Sequence, residues 1–391
     1  MFMIYLTEKA MPLDDIRVVD MTHVWYGPWC TMMLGYMGAE VIRVEPPWGA
    51  IDRLSRSGVY GGVPYTFHHL NLNKKDVTIN TKDPEGLALL KELIATSDVL
   101  VQNMSAGAME RMGLGYDVLK EIKPDIIYAA LSGFGQTGPY KERKSYAMIA
   151  EAMSSHTRLT GDGVDPEGPP IEMAMAYGDI GPGTMAAFGI VSALRYRDQT
   201  GEGQMLDLSQ IEIMTAFNPG VTLWQLGQTT PAEMRKQNPG GGIGGLLKTS
   251  DDEYVRIGVY SPKAVDQVRA LFDDDEFDTE KLTAWVSEHT QKEVVDRFVE
   301  ARLPVAPIYY PKDTCADPHL NARGMFQEIE HPRAGKYKAI TFPFKLSKTQ
   351  PEIQRHAPLL GQDNEYVICD LLGKSNEYYD ELKKKGVVAW T

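Results

Sequence analysis

Between Ile16 and Ile149 the chain alternates short β-branched runs with stretches of helical spacing, and this alternation restricts the fold more than any other feature. Ile16–Asp20, Val41–Glu45, Val77–Asn80, Val99–Gln102 and Ile126–Leu131 read as strands. Between the third and fourth, Asp83-Pro84-Glu85 opens a helix with an acidic cap and a proline in the first turn. Leu87, Leu90, Lys91 and Ile94 continue it at helical spacing to about Ser97. Strands separated by helices predict a parallel α/β sheet.

Further on, Asp179–Arg197 and Met205–Gly227 read as long helices parted by the turn Thr200-Gly-Glu-Gly203. Asn238–Gly245, with five glycines among its last six residues, reads as a break in regular structure, either a linker or a loop that approaches a ligand closely. A strand at Glu253–Tyr260, helices at Lys263–Leu271 and Glu293–Ala301, and a strand at Val305–Tyr309 then predict a smaller α+β unit. The expected division is 1–220 for the first part of a large α/β domain, 221–320 for the small domain, and 321–391 for a linker and a helical return to the large domain.

Forty Lys and Arg against 53 Asp and Glu leave a net charge of −13, which speaks against a nucleic-acid or membrane surface as the main partner. A site for an anionic ligand must be local. Lys74-Lys75, Arg143-Lys144 and the single Arg111 are the candidates, and each taken alone also reads as solvated charge. Cys30, Cys315 and Cys369 are far apart, with no Cys/His ligand spacing, so neither a disulfide framework nor a metal site is expected and a cytoplasmic setting fits. No apolar run is long enough for a membrane span.

Gly133-Phe-Gly-Gln-Thr-Gly138 follows a strand and has a dinucleotide-binding spacing, but Pro139 and the polar run to Lys144 follow at once where an apolar helix should begin. It reads as a tight turn, and no nucleotide cofactor is expected. Asp179, in Tyr177-Gly-Asp-Ile180, reads as a helix N-cap or as a carboxylate nucleophile kept ionised by the helix end. His23, His68, His69 and His156 have no nucleophile or acid at a telling spacing and read as structural or surface residues.

Taken in order, Val18-Val-Asp-Met-Thr22, Gly27-Pro28, Gly38-Ala-Glu-Val-Ile-Arg-Val-Glu45, Asn71-Leu-Asn-Lys-Lys75, Gly113-Leu-Gly-Tyr116, Ser132–Pro139, Gly201-Glu-Gly-Gln204 and Ala357-Pro-Leu-Leu-Gly361 resemble the family III CoA-transferases, the CaiB/BaiF group. The resemblance implies a doubly wound Rossmann-like large domain with a smaller α+β domain inserted, in an interlocked dimer, either a homodimer or a heterodimer with a related subunit. It also implies transfer of CoA from an acyl-CoA such as succinyl-CoA to a carboxylic acid. Asp179 matches the family's nucleophile, which passes through an acyl–aspartyl anhydride and an aspartyl-CoA thioester. The CoA thioester is a substrate, and neither ATP nor metal takes part. The positions matching the family's CoA contacts are Val24, Tyr26, Asn73, Lys74, Lys75, Arg111, Met112, Lys144 and Tyr146. Gly240, Gly241, Gly242, Gly244 and Gly245 match a glycine loop that closes over the site.

Two departures bear on the substrate. Formyl-CoA transferases carry glutamine where this chain has Trp25, and exchanging an amide for an indole disfavours a small dicarboxylate such as oxalate. The racemase branch carries a His-Asp pair where this chain has Tyr146-Ala147, which disfavours two-base α-proton exchange. Trp25, Tyr26, Trp29 and Trp48 supply aromatic surface for an acyl pocket that takes a bulky or aromatic acid of the benzylsuccinate type, or else serve as core or dimer contacts. An acyl-CoA racemase or isomerase and a CoA-binding subunit of a heteromeric transferase are the alternative functions.

Overall fold

The computed structural model describes residues 11–54, 58–237 and 242–389. The chain forms two compact units, one running to Thr222 and resuming at Gly324, the other spanning Leu223–Arg323. The larger unit is built on six strands, β1 (Arg17–Met21), β2 (Glu40–Glu45), β3 (Lys74–Thr78), β4 (Val99–Gln102), β5 (Ile127–Ser132) and β6 (Gln204–Ser209). All pair in parallel, in the order β3-β2-β1-β4-β5-β6.

Alternating strand residues face opposite sides of this sheet. Val18, Val99, Val101, Ile127 and Ala129 pack with helix α1 (Tyr26–Tyr36), while Val19, Leu100 and Tyr128 pack with helix α2 (Pro84–Ala95) on the other face. Helix α3 (Ala147–Met153), the long helix α4 (Tyr177–Thr200) and helix α5 (Gln210–Ala216) follow, with α4 lying against α1. Tyr379, Leu382, Val387 and Val388 of the C-terminal tail complete the core on the α2 face.

Two expectations are corrected. Met205–Gly227 is not one helix: residues 204–209 form the edge strand β6, whose Leu206, Asp207 and Leu208 alternate as a strand requires. The third strand begins at Lys74 rather than at Val77, which puts both lysines inside the sheet at the amino end of β3. The Lys74 ammonium is fully buried and donates to Asp20 Oδ2, Pro28 O and Asn71 Oδ1, each at 3.0 Å. Asp20 also accepts from Thr22 N, Thr22 Oγ1 and Thr31 Oγ1. Burial alone would raise the Asp20 carboxyl, but Lys74 and Arg43 override it and hold it below the usual carboxylate range.

The smaller unit has a three-stranded antiparallel sheet of β7 (Ile243–Lys248), β8 (Tyr254–Val259) and β9 (Val305–Pro307), in the order β9-β8-β7. Helices at Pro262–Phe272, Thr279–Ser287 and Gln291–Glu300 share its core of Val255, Ile257, Val268, Leu282 and Phe298. The break expected through Gly245 thus ends earlier, because Gly244 and Gly245 belong to β7. A Cβ on Gly244 would stand 2.3 Å from Ile257 O, so the strand pairing itself requires glycine there.

Removing the buried ammonium in Lys74→Met leaves Asp20 without its cation and should cost about 3–5 kcal/mol. Lys75→Met loses a partly exposed pair with Glu40 and a contact with the Tyr366 ring, and should cost about 1–2 kcal/mol. Urea denaturation of the two variants checks this difference.

Candidate active site

Chain order reverses between β1 and β4, so the loops leaving their carboxyl ends part and open a crevice at the edge of the sheet. Two adjoining cavities fill it, sharing His23, Asn103, Ser132, Gly133, Ser145 and Tyr146. The smaller, about 80 Å³, adds Val24, Trp25, Tyr26, Asp179 and Gln210. The larger, about 670 Å³, adds Arg111, Lys141, Arg143 and Lys144. Asn103 fixes the crevice: its Oδ1 accepts from His23 N at 3.0 Å and its Nδ2 donates to His23 O at 2.8 Å, tying the ends of β1 and β4 together. Val24, next along, is held at φ +70°, a costly conformation for a β-branched residue.

Asp179 is the third residue of α4, and its side chain caps nothing; the residue before the helix is Ala176. The N-cap reading is therefore replaced. Gly178 approaches α3 so closely that a Cβ would stand 2.5 Å from Ala147 O. Its amide donates to Glu151 Oε1 at 2.7 Å. The Asp179 carboxylate is 6% exposed, and its Oδ1 accepts from Gln210 Nε2. Gln210 Nε2 also donates to Gly178 O at 3.2 Å, and Gln210 Oε1 accepts from Ser145 Oγ at 3.2 Å.

Burial pushes the Asp179 carboxyl up to about 7; the Gln210 hydrogen bond works against that rise and the nearby Glu151 adds to it. This differs from the expectation that the helix end keeps the group ionised, because burial is the largest influence on the carboxyl and favours its protonated form. His23 is held below the usual imidazole range, chiefly by burial, so a neutral ring faces the same cavity.

The other expected site residues divide by position. Val24, Trp25, Tyr26, Arg111, Lys144 and Tyr146 line the crevice. Tyr26 is buried and its hydroxyl is already donated to Leu208 O. Lys144 donates to Ser105 Oγ within the larger cavity. Met112 packs into the core on the α2 face instead. Asn73, Lys74 and Lys75 sit at the amino end of β3 and do not line the crevice, because parallel strands put all their carboxyl ends on the opposite edge. Lys74 is committed to Asp20, Lys75 bonds Glu40 and lies 3.6 Å from the Tyr366 ring centroid, and Asn73 Oδ1 accepts from the amides of Gln354 and Arg355.

Trp25 and Trp29 stand against His69, with ring centroids 6.3 and 5.8 Å away. Trp48 is apart from them, in a cavity with Arg53 and Leu360. Gly240 and Gly241 lie outside the described residues, and Gly242 directly precedes β7. Sequence reasoning missed Asn103, Ser145 and Gln210 as parts of the site, placed Glu151 near it without a role, and set His23 aside. Asn103 and His23 carried a usable signal, since each directly follows a parallel strand or its last turn residue.

A parallel sheet with a carboxylate and a cluster of cations at its switch point suits an enzyme that handles an anionic, activated acyl group. The model of CoA-transferase family III matches residues 13–364, and the chain belongs to that family. It is 32% identical to the formyl-CoA:oxalate CoA-transferase of Rhodopseudomonas palustris strain BisA53, over 96% of this chain and 97% of that one. It is 31% identical to the succinyl-CoA:glutarate CoA-transferase of Homo sapiens, over 96% of this chain and 90% of that protein. Among solved structures, a CaiB/BaiF family protein from Brucella suis superposes with a TM-score of 0.82 at 27% identity, over 92% of this chain and 99% of its own. The chain is thus a family III CoA-transferase, with CoA thioesters as substrates. Among the described residues no helix is long and apolar enough to cross a membrane, and no group of three or more His, Cys, Asp or Glu is arranged to hold a metal ion.

A carboxyl raised from 3.8 to about 7 binds its proton more tightly folded than unfolded, so its burial costs stability increasingly as pH climbs from 4 to 7 and fully above that. Asp179→Asn should therefore raise the melting temperature by a few degrees at pH 8 and by much less at pH 4. Scanning calorimetry at the two pH values reads the difference, and equal gains would contradict the assignment.

Proposed function

We propose that the protein moves CoA from an acyl-CoA donor such as succinyl-CoA to a dicarboxylic acid larger than oxalate, with Asp179 as the nucleophile. The observation that carries this reading is the Asp179 carboxylate, which deprotonates near neutral pH at one end of a crevice whose other end gathers Arg111, Lys141, Arg143 and Lys144. Those cations suit the phosphates of CoA, and the smaller cavity suits the thioester.

The carboxylate attacks the thioester carbonyl and expels CoA thiolate, leaving an acyl–aspartyl anhydride. The thiolate attacks the aspartyl carbonyl and releases the first acid as its carboxylate. The second acid's carboxylate then attacks the aspartyl-CoA thioester, forming a new anhydride and freeing the thiolate again. The thiolate finally takes the new acyl group and regenerates Asp179. No net proton or electron is required, and the anhydride retains the thioester's energy.

The acceptor class rests on two supports. The relatives at about 30% identity are named for diacids, oxalate and glutarate above and D-citramalate in a Chloroflexus aurantiacus enzyme. The indole of Trp25 in the small cavity favours a larger and more apolar acid than oxalate, with benzylsuccinate at the bulky end of the range. A two-copy assembly, implied by the family resemblance, is supported by the exposed apolar side chains of Met185, Phe188 and Val191 along α4.

Incubating the chain with succinyl-CoA and a panel of acids (oxalate, glutarate, citramalate and benzylsuccinate) should yield new CoA thioesters, with oxalate the poorest acceptor. Asp179→Ala should lose at least a thousandfold in rate. Sedimentation of the same preparation should give twice the chain mass. Turnover surviving in Asp179→Ala would refute the nucleophile.

A further inference from the structure

Pro182 lies inside α4 and has no N–H, so the carbonyl four residues earlier, Gly178 O, lacks its helical donor. A side chain from another helix supplies it. Gln210, the first residue of α5 and only 4% exposed, gives one amide hydrogen to Gly178 O and the other to Asp179 Oδ1. Its carbonyl is oriented by the Ser145 hydroxyl, which fixes the amide with nitrogen toward Asp179. Among the described residues the one hydrogen bond recorded to the carboxylate is this bond at Oδ1.

We propose that Gln210, set by Ser145 and docked on the carbonyl that Pro182 leaves open, is the positioning residue of the reaction: it anchors Oδ1 so that Oδ2 is the oxygen presented to the thioester. This rests on Asp179 being the nucleophile. A freely turning carboxylate offers both oxygens in many orientations, whereas one anchored at Oδ1 holds its second lone-pair oxygen at a fixed angle. The bond also stabilises the ionised form, opposing the burial and the Glu151 charge that favour the proton.

The other groups facing this point are Glu151 on α3, whose charge acts on Asp179, Tyr26 on α1, and His23 and Tyr146 in the cavity wall. Glu151 has its Oε1 occupied by Gly178 N. Tyr26 is pushed up by burial and His23 down by burial, so neither is charged near neutrality. Gln210 is therefore the neighbour whose loss should move the Asp179 titration most directly.

The test uses the full chain and the dependence of kcat/KM on pH with succinyl-CoA. In Gln210→Met the acid limb should move upward by about one pH unit, and the rate at pH 7 should fall at least tenfold, with part of the loss recovered at pH 9. Ser145→Ala should shift the limb the same way by a smaller amount. Gln210→Met combined with Pro182→Ala separates this role from a structural one, because replacing the proline by alanine returns an N–H to Gly178 O without restoring any bond to the carboxylate. Recovery of wild-type rate and pH profile in the double variant would overturn the proposal, as would a Gln210→Met limb unmoved from wild type. CoA binding by calorimetry verifies that each variant is folded. An active Asp179→Ala would instead overturn the nucleophile itself, which distinguishes the two failures.

Discussion

The buried ion pair between Asp20 and Lys74 supports the whole functional edge of the sheet. Asp20, the next-to-last residue of the first strand, points into the protein, where a carboxylate is tolerated only with a cation and a full set of donors. Lys74 supplies the cation, and Thr22 and Thr31 supply hydroxyl donors from the turn and from α1. Lys74 also reaches Pro28 O, and Arg43 reaches Thr22 O, so the turn carrying His23 to Tyr26 is held from beneath by two buried cations. Arg43 in turn is neutralised by Glu45 and Asp52. The crevice opens above this layer, and the strained Val24 persists because its neighbours are fixed on both sides.

A second constraint acts on Asp179. In the proposed role its carboxylate must be sheltered so that an anhydride is not lost to water, yet shelter raises its pKa and reduces the ionised fraction. Burial dominates here and brings the group close to neutrality. Gln210 moderates the effect from one side while Glu151, tied to the Gly178 amide, intensifies it from the other. The close approach of α4 to α3 that makes this arrangement possible depends on Gly178 having no side chain.

Much of the fold was legible in the sequence because a parallel sheet buried on both faces leaves unbroken aliphatic runs at regular intervals. Residues 205–209 read as helix because a short edge strand running straight into a helix blends the two periods. The placement of Lys74 and Lys75 inside the sheet was hidden for a related reason: a lysine at the start of a buried strand has the same spelling as one on a loop, and only the strand register shows which end of the sheet it occupies. Asp179 was marked by its Gly-Asp step and by family resemblance. Gln210 was not, since a hydrogen bond spanning 31 residues has no signature in local spacing. Asp179's elevated pKa was equally hidden, because it follows from burial rather than from its place at a helix start.

The proposed function requires the Asp179 carboxylate to become covalently acylated during turnover. Treating the enzyme with succinyl-CoA in the presence of hydroxylamine, then mapping peptides by mass spectrometry, tests it most directly. Hydroxylamine displaces CoA or the acid from an activated aspartyl group and leaves a stable hydroxamate. A hydroxamate on Asp179, dependent on succinyl-CoA, is the expected result. A fully active enzyme that carries no hydroxamate, or one carrying it on Glu151 instead, would contradict it.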